Sequence, residues 1–93
     1  MKAFRQFILE YGNMTIDLEK ARKEKIFKGD EKKAEKIIFA LIRDGYMNLS
    51  WDVSSHGWEM QIQEPSRGQL KHFPGQTPLE TLEAAKKKLR LKL

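Results

Sequence analysis

The sequence predicts a single α+β domain over residues 1–93, in which a three-stranded antiparallel β-meander packs against helices in the order α-α-α-β-β-β-α. Three observations lead to this prediction. Apolar residues recur with a helical period before residue 45, they alternate with polar residues from 47 to 63, and a helix-start signal follows near residue 77. A chain of this length can bury one modest core without metals or disulfides.

Two stretches before residue 45 have a clear helical period. The first is an apolar stripe over residues 4–11, made of Phe4, Phe7, Ile8 and Tyr11. The second is residues 31–44, whose apolar face is made of Ala34, Ile37, Ile38, Leu41 and Ile42. We expect the Asp30 side chain to accept hydrogen bonds from the first turn of this helix, and Gly45 to end it in the left-handed conformation.

The segment between these two stretches is ambiguous. Met14, Ile16 and Leu18 alternate as in a strand. However, Met14, Leu18 and Ala21 also fit one face of a helix, and the charged run after Leu18 favours a helix through about Lys28. We therefore predict a helix here, which gives three helices before the first strand.

A β-hairpin is predicted where the period changes to two. Residues 47–53 and 58–62 alternate apolar with polar side chains, and the tetrad 54–57 is rich in turn-forming residues. By this parity Trp51 and Trp58 face the core together with Met47, while Asn48, Ser50, Asp52, Glu59, Gln61 and Gln63 line the open side. A short third strand over 69–73 follows the turn 65–68.

The last helix has the clearest start signal. Thr77 is a suitable N-cap, Pro78 fits the first helical position, and Glu80 is placed to close a capping box. Leu79, Leu82, Ala85 and Leu89 form its inward face.

Composition excludes several classes of protein. There is no Cys, which rules out a disulfide scaffold, a thiolate zinc site and a cysteine nucleophile, and fits a reducing compartment. The longest apolar run is residues 37–42, far short of a membrane span. The first residues lack the apolar region of a signal peptide, so we expect a cytoplasmic protein without membrane contact.

Residue types used in catalysis are present without a catalytic pattern. His56 and His72 have no metal-ligand spacing, and Ser54 and Ser55 beside His56 are better explained as turn chemistry. Asp52 and Glu59 could sit opposite each other on the hairpin, but a flat open face offers no pocket to separate their roles. We predict no enzymatic activity, no cofactor, no metal and no small-molecule substrate.

Basic residues are concentrated in two zones. The formal charge is +5; residues 20–36 hold eight basic and four acidic side chains, and the last eight positions hold five basic and none acidic. Residues 37–85 hold three basic and six acidic side chains. This distribution favours nucleic acid, an acidic protein surface or another anionic surface as partner, although a solvated lysine-rich surface would look the same.

The first candidate binding surface is a stripe on the predicted helix 31–44. Lys32, Lys36, Phe39 and Arg43 fall within about 60° of each other, opposite the apolar face, at 100° per residue. Such a stripe can lie along phosphates or acidic groups, with Phe39 giving apolar or stacking contact. The alternative is that Phe39 packs beneath the first or second helix and the cations are simply solvated.

The second candidate surface is the end of the last helix. Its cations are Lys86, Lys87, Lys88, Arg90 and Lys92. The helix dipole also favours cations at this position, which would account for them without any partner. Arg67 and Lys71 could extend this surface if the third strand lies nearby.

Two resemblances follow from these features. The α-β-β-β-α order over residues 30–93 resembles that of double-stranded-RNA-binding domains, but here the lysines come at the end of the last helix, after Thr77-Pro78-Leu79-Glu80, and not at its start. A short, cysteine-free, lysine-rich α+β chain is also similar in kind to small phage-encoded inhibitors, including anti-CRISPR proteins. That resemblance implies binding to a large nucleoprotein complex and blocking of its nucleic-acid channel or guide RNA.

The resulting hypothesis is a binding protein that docks through basic helices on a nucleoprotein complex or on nucleic acid. An anti-CRISPR-type inhibitor is its most specific version. The alternatives are a regulator that binds DNA or RNA directly, and a homo-oligomeric structural protein that uses Phe4, Phe7 or Phe39 at its interface.

Overall fold

The computed structural model describes residues 14–93, in which three helices and four strands follow the order β-α-α-β-β-β-α. They are β1 (Met14–Asp17), α1 (Leu18–Glu24), α2 (Glu31–Arg43), β2 (Met47–Ser54), β3 (Gly57–Gln63), β4 (Leu70–Gly75) and α3 (Pro78–Leu89). A 3₁₀ turn, Pro65–Arg67, connects β3 to β4. The helix predicted for residues 4–11 lies outside the described residues.

The predicted order α-α-α-β-β-β-α and the three-stranded meander are wrong, because the segment before α1 is a strand. Residues Met14–Asp17 pair antiparallel with β2, and Met14 lies opposite Val53. The period-two alternation decides this segment, since Ile16 points into the core while Thr15 and Asp17 are exposed. The sheet therefore has four strands in the order β1-β2-β3-β4.

Helix α1 is shorter than the helix predicted through Lys28. It begins at Leu18 because the Asp17 carboxylate caps it, accepting a hydrogen bond from the Lys20 N–H at 2.8 Å. It ends after Glu24 because Lys25 takes the left-handed conformation, with φ of 54°. Leu18 and the buried Ala21 therefore do lie on one helix, as predicted. The helix begins at Leu18, however, and does not include Met14.

Helix α2 and the start of α3 agree with the sequence pattern, with two exceptions. Gly45 follows α2 at φ of 94°, and the Thr77 hydroxyl accepts a hydrogen bond from the Glu80 N–H at 3.2 Å. In contrast, the Asp30 side chain makes no capping hydrogen bond, so that expectation is wrong. The Glu80 carboxylate lies 3.5 Å from the Gln76 N–H instead of reaching the N-cap residue itself.

Strands β2 and β3 form the predicted hairpin, with Trp51 opposite Met60. A bulge interrupts their register between Met47 and Ser50, where Asn48 takes a left-handed φ of 58°. The extra residue moves Met47 out of the inward series, and its side chain is 40% exposed. The expectation that Met47 shares the core face of Trp51 is therefore wrong.

The core lies between one face of the sheet and the helices, and Trp51 is at its centre. The Trp51 ring is fully buried and its indole N–H donates to the Thr81 hydroxyl of α3 at 3.0 Å. That hydroxyl in turn donates to the Pro78 carbonyl at 2.6 Å. The Phe27 ring, in the loop after α1, meets Trp51 edge-on with centroids 5.3 Å apart. Trp51 thus joins the sheet to α3 through Thr81 and to the loop after α1 through Phe27.

The hydrogen bond between Trp51 and Thr81 can be tested by Thr81→Val, which keeps the side-chain volume but removes the acceptor. We expect the free energy of unfolding, measured by urea denaturation, to fall by about 1–3 kcal/mol, because a buried donor left without a partner carries its full desolvation cost. Thr81→Ser is the control, since it keeps the hydroxyl and loses one methyl group, at about 0.8 kcal/mol. Equal losses in the two variants would show that the hydrogen bond does not stabilise the fold.

Candidate binding surface

The four residues of the predicted stripe lie together on the exposed side of α2. Lys32, Lys36, Phe39 and Arg43 are all exposed, whereas Ala34, Ile37, Ile38 and Leu41 are buried on the opposite side. Phe39 is 59% exposed, so its ring does not pack beneath α1, while the helix predicted over residues 4–11 lies outside the described residues. This side of α2 is therefore exposed among the residues that the structure describes.

The cations of the stripe differ in their partners. Within residues 14–93, Lys32 and Lys36 form no ion pair. The Arg43 guanidinium is engaged twice: its Nε donates to Asp44 Oδ1 at 3.1 Å, and its Nη2 donates to the Lys92 carbonyl at 2.8 Å. Lys32 and Lys36 are thus the side chains of the stripe whose charge is available to an anion.

The contact between Arg43 and Lys92 joins the two candidate surfaces. Helix α3 ends at Leu89 because Arg90 adopts a left-handed φ of 53°, and the chain then turns so that Leu91 is buried. The residues after Leu91 consequently lie against the end of α2. The lysines of the last turn of α3 and Arg90 are exposed and form no ion pair within the described part of the chain: Lys86, Lys87, Lys88 and Arg90.

The two predicted extensions of this surface have different outcomes. Lys71, on β4, lines a small cleft of about 240 Å³ together with Lys88, so β4 does bring it to the end of α3. Its ammonium group lies 3.4 Å from Glu64 Oε1 and is therefore partly neutralised. Arg67 is exposed in the turn between β3 and β4, and no hydrogen bond or ion pair connects it to α2 or α3.

Sequence reasoning missed an apolar component at the end of α2. A shallow depression of about 730 Å³ is lined by Lys36, Phe39, Ala40, Ile42, Arg43 and Leu93. Ile42 is 46% exposed and Leu93 is 59% exposed, so the expectation that Ile42 belongs to the inward face is wrong. The spacing contains the signal for this. A residue four positions further along a helix is rotated by about 40° around the helix axis, and this rotation carries Ile42 away from the buried side on which Ile38 lies.

The open face of the sheet carries polar side chains that bind each other. Asp52 and Glu59 are opposite each other in the β2–β3 register, as expected, but both line a small cleft of about 220 Å³, so the expectation of a flat face without a pocket is wrong. Asp52 accepts hydrogen bonds from Thr15 and Gln61, and Glu59 Oε1 lies 3.1 Å from His72 Nδ1. Both carboxylates are therefore already engaged with neighbouring side chains.

The hairpin tip places two neighbouring side chains, Ser55 and His56, within hydrogen-bonding distance. The Ser55 hydroxyl lies 3.3 Å from Nδ1 of the adjacent His56, and both residues are exposed in the turn. Across residues 14–93, no three His, Asp or Glu side chains lie close enough together to hold a metal ion. Over the same residues, no helix combines the length and the apolar composition needed to cross a membrane.

The role of Arg43 can be tested by Arg43→Lys, which keeps the charge but cannot bridge Asp44 and the Lys92 carbonyl together. We expect the backbone of Leu93 to become more mobile, measured as a lower heteronuclear ¹H–¹⁵N NOE, while the free energy of unfolding changes by about 0.5 kcal/mol or less. Lys36→Arg, on the same stripe, is the control and should leave Leu93 unchanged. An unaltered NOE in Arg43→Lys would mean that Arg43 does not hold the end of the chain against α2.

Known proteins offer no template for this surface. No protein-family model matches the chain, and neither a curated protein nor a solved structure matches it. The order α2-β2-β3-β4-α3 is the one that resembles double-stranded-RNA-binding domains, but Lys86–Lys88 lie at the carboxyl end of α3. The resemblances to those domains and to small phage inhibitors remain predictions, and function has to be argued from the surface itself.

Proposed function

We propose that this protein is a non-enzymatic binding protein that docks through the basic surface of its helices on a nucleoprotein complex or on nucleic acid. The observation that carries the proposal is the hydrogen bond from Arg43 to the Lys92 carbonyl, at 2.8 Å. Because this contact holds the end of the chain against α2, two cation groups that are far apart in sequence belong to one helical layer. A single anionic target can then meet both groups.

The distribution of charge between the layers supports the proposal. The helical segments, residues 18–44 and 76–93, contain fourteen basic and eight acidic side chains. The sheet segments, residues 14–17 and 45–75, contain two basic and four acidic side chains. An approaching polyanion is therefore attracted to the helical side and repelled from the open side of the sheet.

The available charges are of the kind that phosphate recognition needs. Lys32, Lys36 and the lysines at the end of α3 are exposed, and the carboxylates that do form ion pairs with Lys or Arg, those of Glu19, Glu24, Asp44 and Glu64, pair with other cations. Several such contacts along a surface give affinity without a pocket, because each replaces a counterion of the anionic partner. The engaged carboxylates of the sheet, in contrast, support no catalytic role.

The most specific version of the proposal is a phage inhibitor of the anti-CRISPR type, which would cover the nucleic-acid path of a nucleoprotein complex. A regulator that binds DNA or RNA directly would use the same cations. The two differ in whether the protein binds free nucleic acid, so one experiment separates them.

We expect Lys32→Gln/Lys36→Gln to weaken binding to the partner by roughly 2- to 30-fold, because exposed ion pairs contribute about 0.2–1 kcal/mol each. Lys20→Gln/Lys23→Gln is the matched control: it removes the same formal charge from exposed lysines of α1 that already pair with Glu24 and Glu19. Affinity is measured by fluorescence anisotropy with labelled single-stranded RNA, single-stranded DNA and duplex DNA of 20 nucleotides.

A pull-down from bacterial lysate, with and without nuclease, covers the case in which the partner is a complex. Capture that survives nuclease and is lost in Lys32→Gln/Lys36→Gln supports docking on a nucleoprotein complex. Capture that is lost after nuclease treatment, or binding to a free oligonucleotide in the anisotropy assay, supports the direct regulator. Equal losses in the test and control variants, or no binding in either assay, would overturn the proposal.

A further inference from the structure

The depression at the end of α2 combines apolar and basic side chains in a way that phosphate binding does not require. We use the name α2 end patch for Phe39, Ile42 and Leu93, which line the depression above the buried Ala40. Single exposed apolar residues are common on protein surfaces, and here three large ones surround one depression. Lys36 and Arg43 line the same depression and supply its charged edge.

We infer that the α2 end patch docks on an acidic protein surface, in which a bulky apolar side chain of the partner enters the depression and flanking carboxylates meet Lys36 and Lys32. This arrangement has the anatomy of a protein–protein interface, with an apolar centre that excludes water and a polar rim. The partner's rim is acidic because Lys36, which lines the depression, and Lys32, one turn before it on α2, form no ion pair among residues 14–93.

Charge and shape disfavour the other possible occupants. Phe39 is the one aromatic ring of the patch, and Ile42 and Leu93 are aliphatic, so successive bases of a strand find no second ring to stack on. A second copy related by a two-fold axis would place the same cations on both sides of the interface. Residues 1–13 carry Lys2 and Arg5 against Glu10, so the amino-terminal segment also lacks the negative charge that the rim calls for.

This inference rests on the proposed function, because Lys32 and Lys36 serve both, and it specifies which component of a nucleoprotein complex the protein contacts. The nucleic-acid path would then be blocked by a protein that is attached through a protein contact. The α2 end patch distinguishes docking on a protein from binding to phosphates, since its apolar side chains contribute to the first and not to the second.

The test uses ¹⁵N-labelled full-length protein and a synthetic probe. The probe is a helical peptide of 20 residues with Leu at every third or fourth position and Glu on both sides of the Leu row. A second peptide replaces each Glu by Gln, and a 20-nucleotide single-stranded DNA is the polyanion without apolar anchors. We expect the acidic peptide to shift the amide signals of residues 36–43 and 93, and the Gln peptide to bind at least about 5-fold more weakly.

Two protein variants separate the patch from general hydrophobicity. Phe39→Ser should weaken binding of the acidic peptide by about 5-fold or more, as expected for the truncation of an interface anchor. Leu70→Ser is the matched control, since Leu70 on β4 is 56% exposed and Phe39 is 59% exposed. The control should change the affinity by less than about 2-fold, and both variants should keep the dispersed amide spectrum of the folded protein.

Four results would overturn the inference. The first two are that the acidic peptide does not bind, or that it binds equally to Phe39→Ser and to the unaltered protein. The third is that the DNA shifts the signals of Ile42 and Leu93. The fourth is that light scattering shows a dimer, which Phe39→Ser dissociates. Peptide binding that appears only after Phe4→Ser/Phe7→Ser would also contradict it, because the amino-terminal segment would then be the occupant. In each case the loss of partner binding in Lys32→Gln/Lys36→Gln would still support the proposed function, so the two can fail separately.

Discussion

The buried indole of Trp51 is the constraint on which the rest of this structure depends. It lies in β2, one of the two inner strands of the sheet, donates to Thr81 of α3 and meets the Phe27 ring between α1 and α2. A polar N–H at this depth is tolerated because its acceptor is fixed, and Thr81 is itself oriented by the Pro78 carbonyl. One side chain thereby sets the position of the helices relative to the sheet.

The layout of the proposed binding surface follows from that arrangement. Once α3 is fixed over the sheet, its end directs the chain past the buried Leu91 toward α2, where Arg43 holds the Lys92 carbonyl. The core thus determines that cations from two distant segments share one layer, although none of those cations contributes to the core. On the open face of the sheet, the carboxylates of Asp52 and Glu59 are engaged with Thr15, Gln61 and His72.

Local patterns predicted the elements whose signals are local. The period of α2, the alternation of the hairpin and the start of α3 at Thr77 could all be read from neighbouring residues. The strand β1 was missed because Met14 and Leu18 fit both periods, and pairing with β2, more than thirty residues away, decides between them. The bulge at Asn48 places Met47 outside the core, and the alternation of apolar and polar residues does not indicate where a bulge occurs. The surface was predicted as two cation groups; the contact of Arg43 with Lys92 and the exposure of Ile42 depend on tertiary packing.

The most direct measurement of the central claim is the salt dependence of binding to the captured complex or to nucleic acid. If the cations of α2 and α3 meet one anionic target together, the logarithm of the association constant should fall with the logarithm of salt concentration with a slope steeper than about −3, equivalent to four or more neutralised phosphates of a single strand. A slope near zero would contradict the claim, because it would show that the helical layer binds its partner without using its charge.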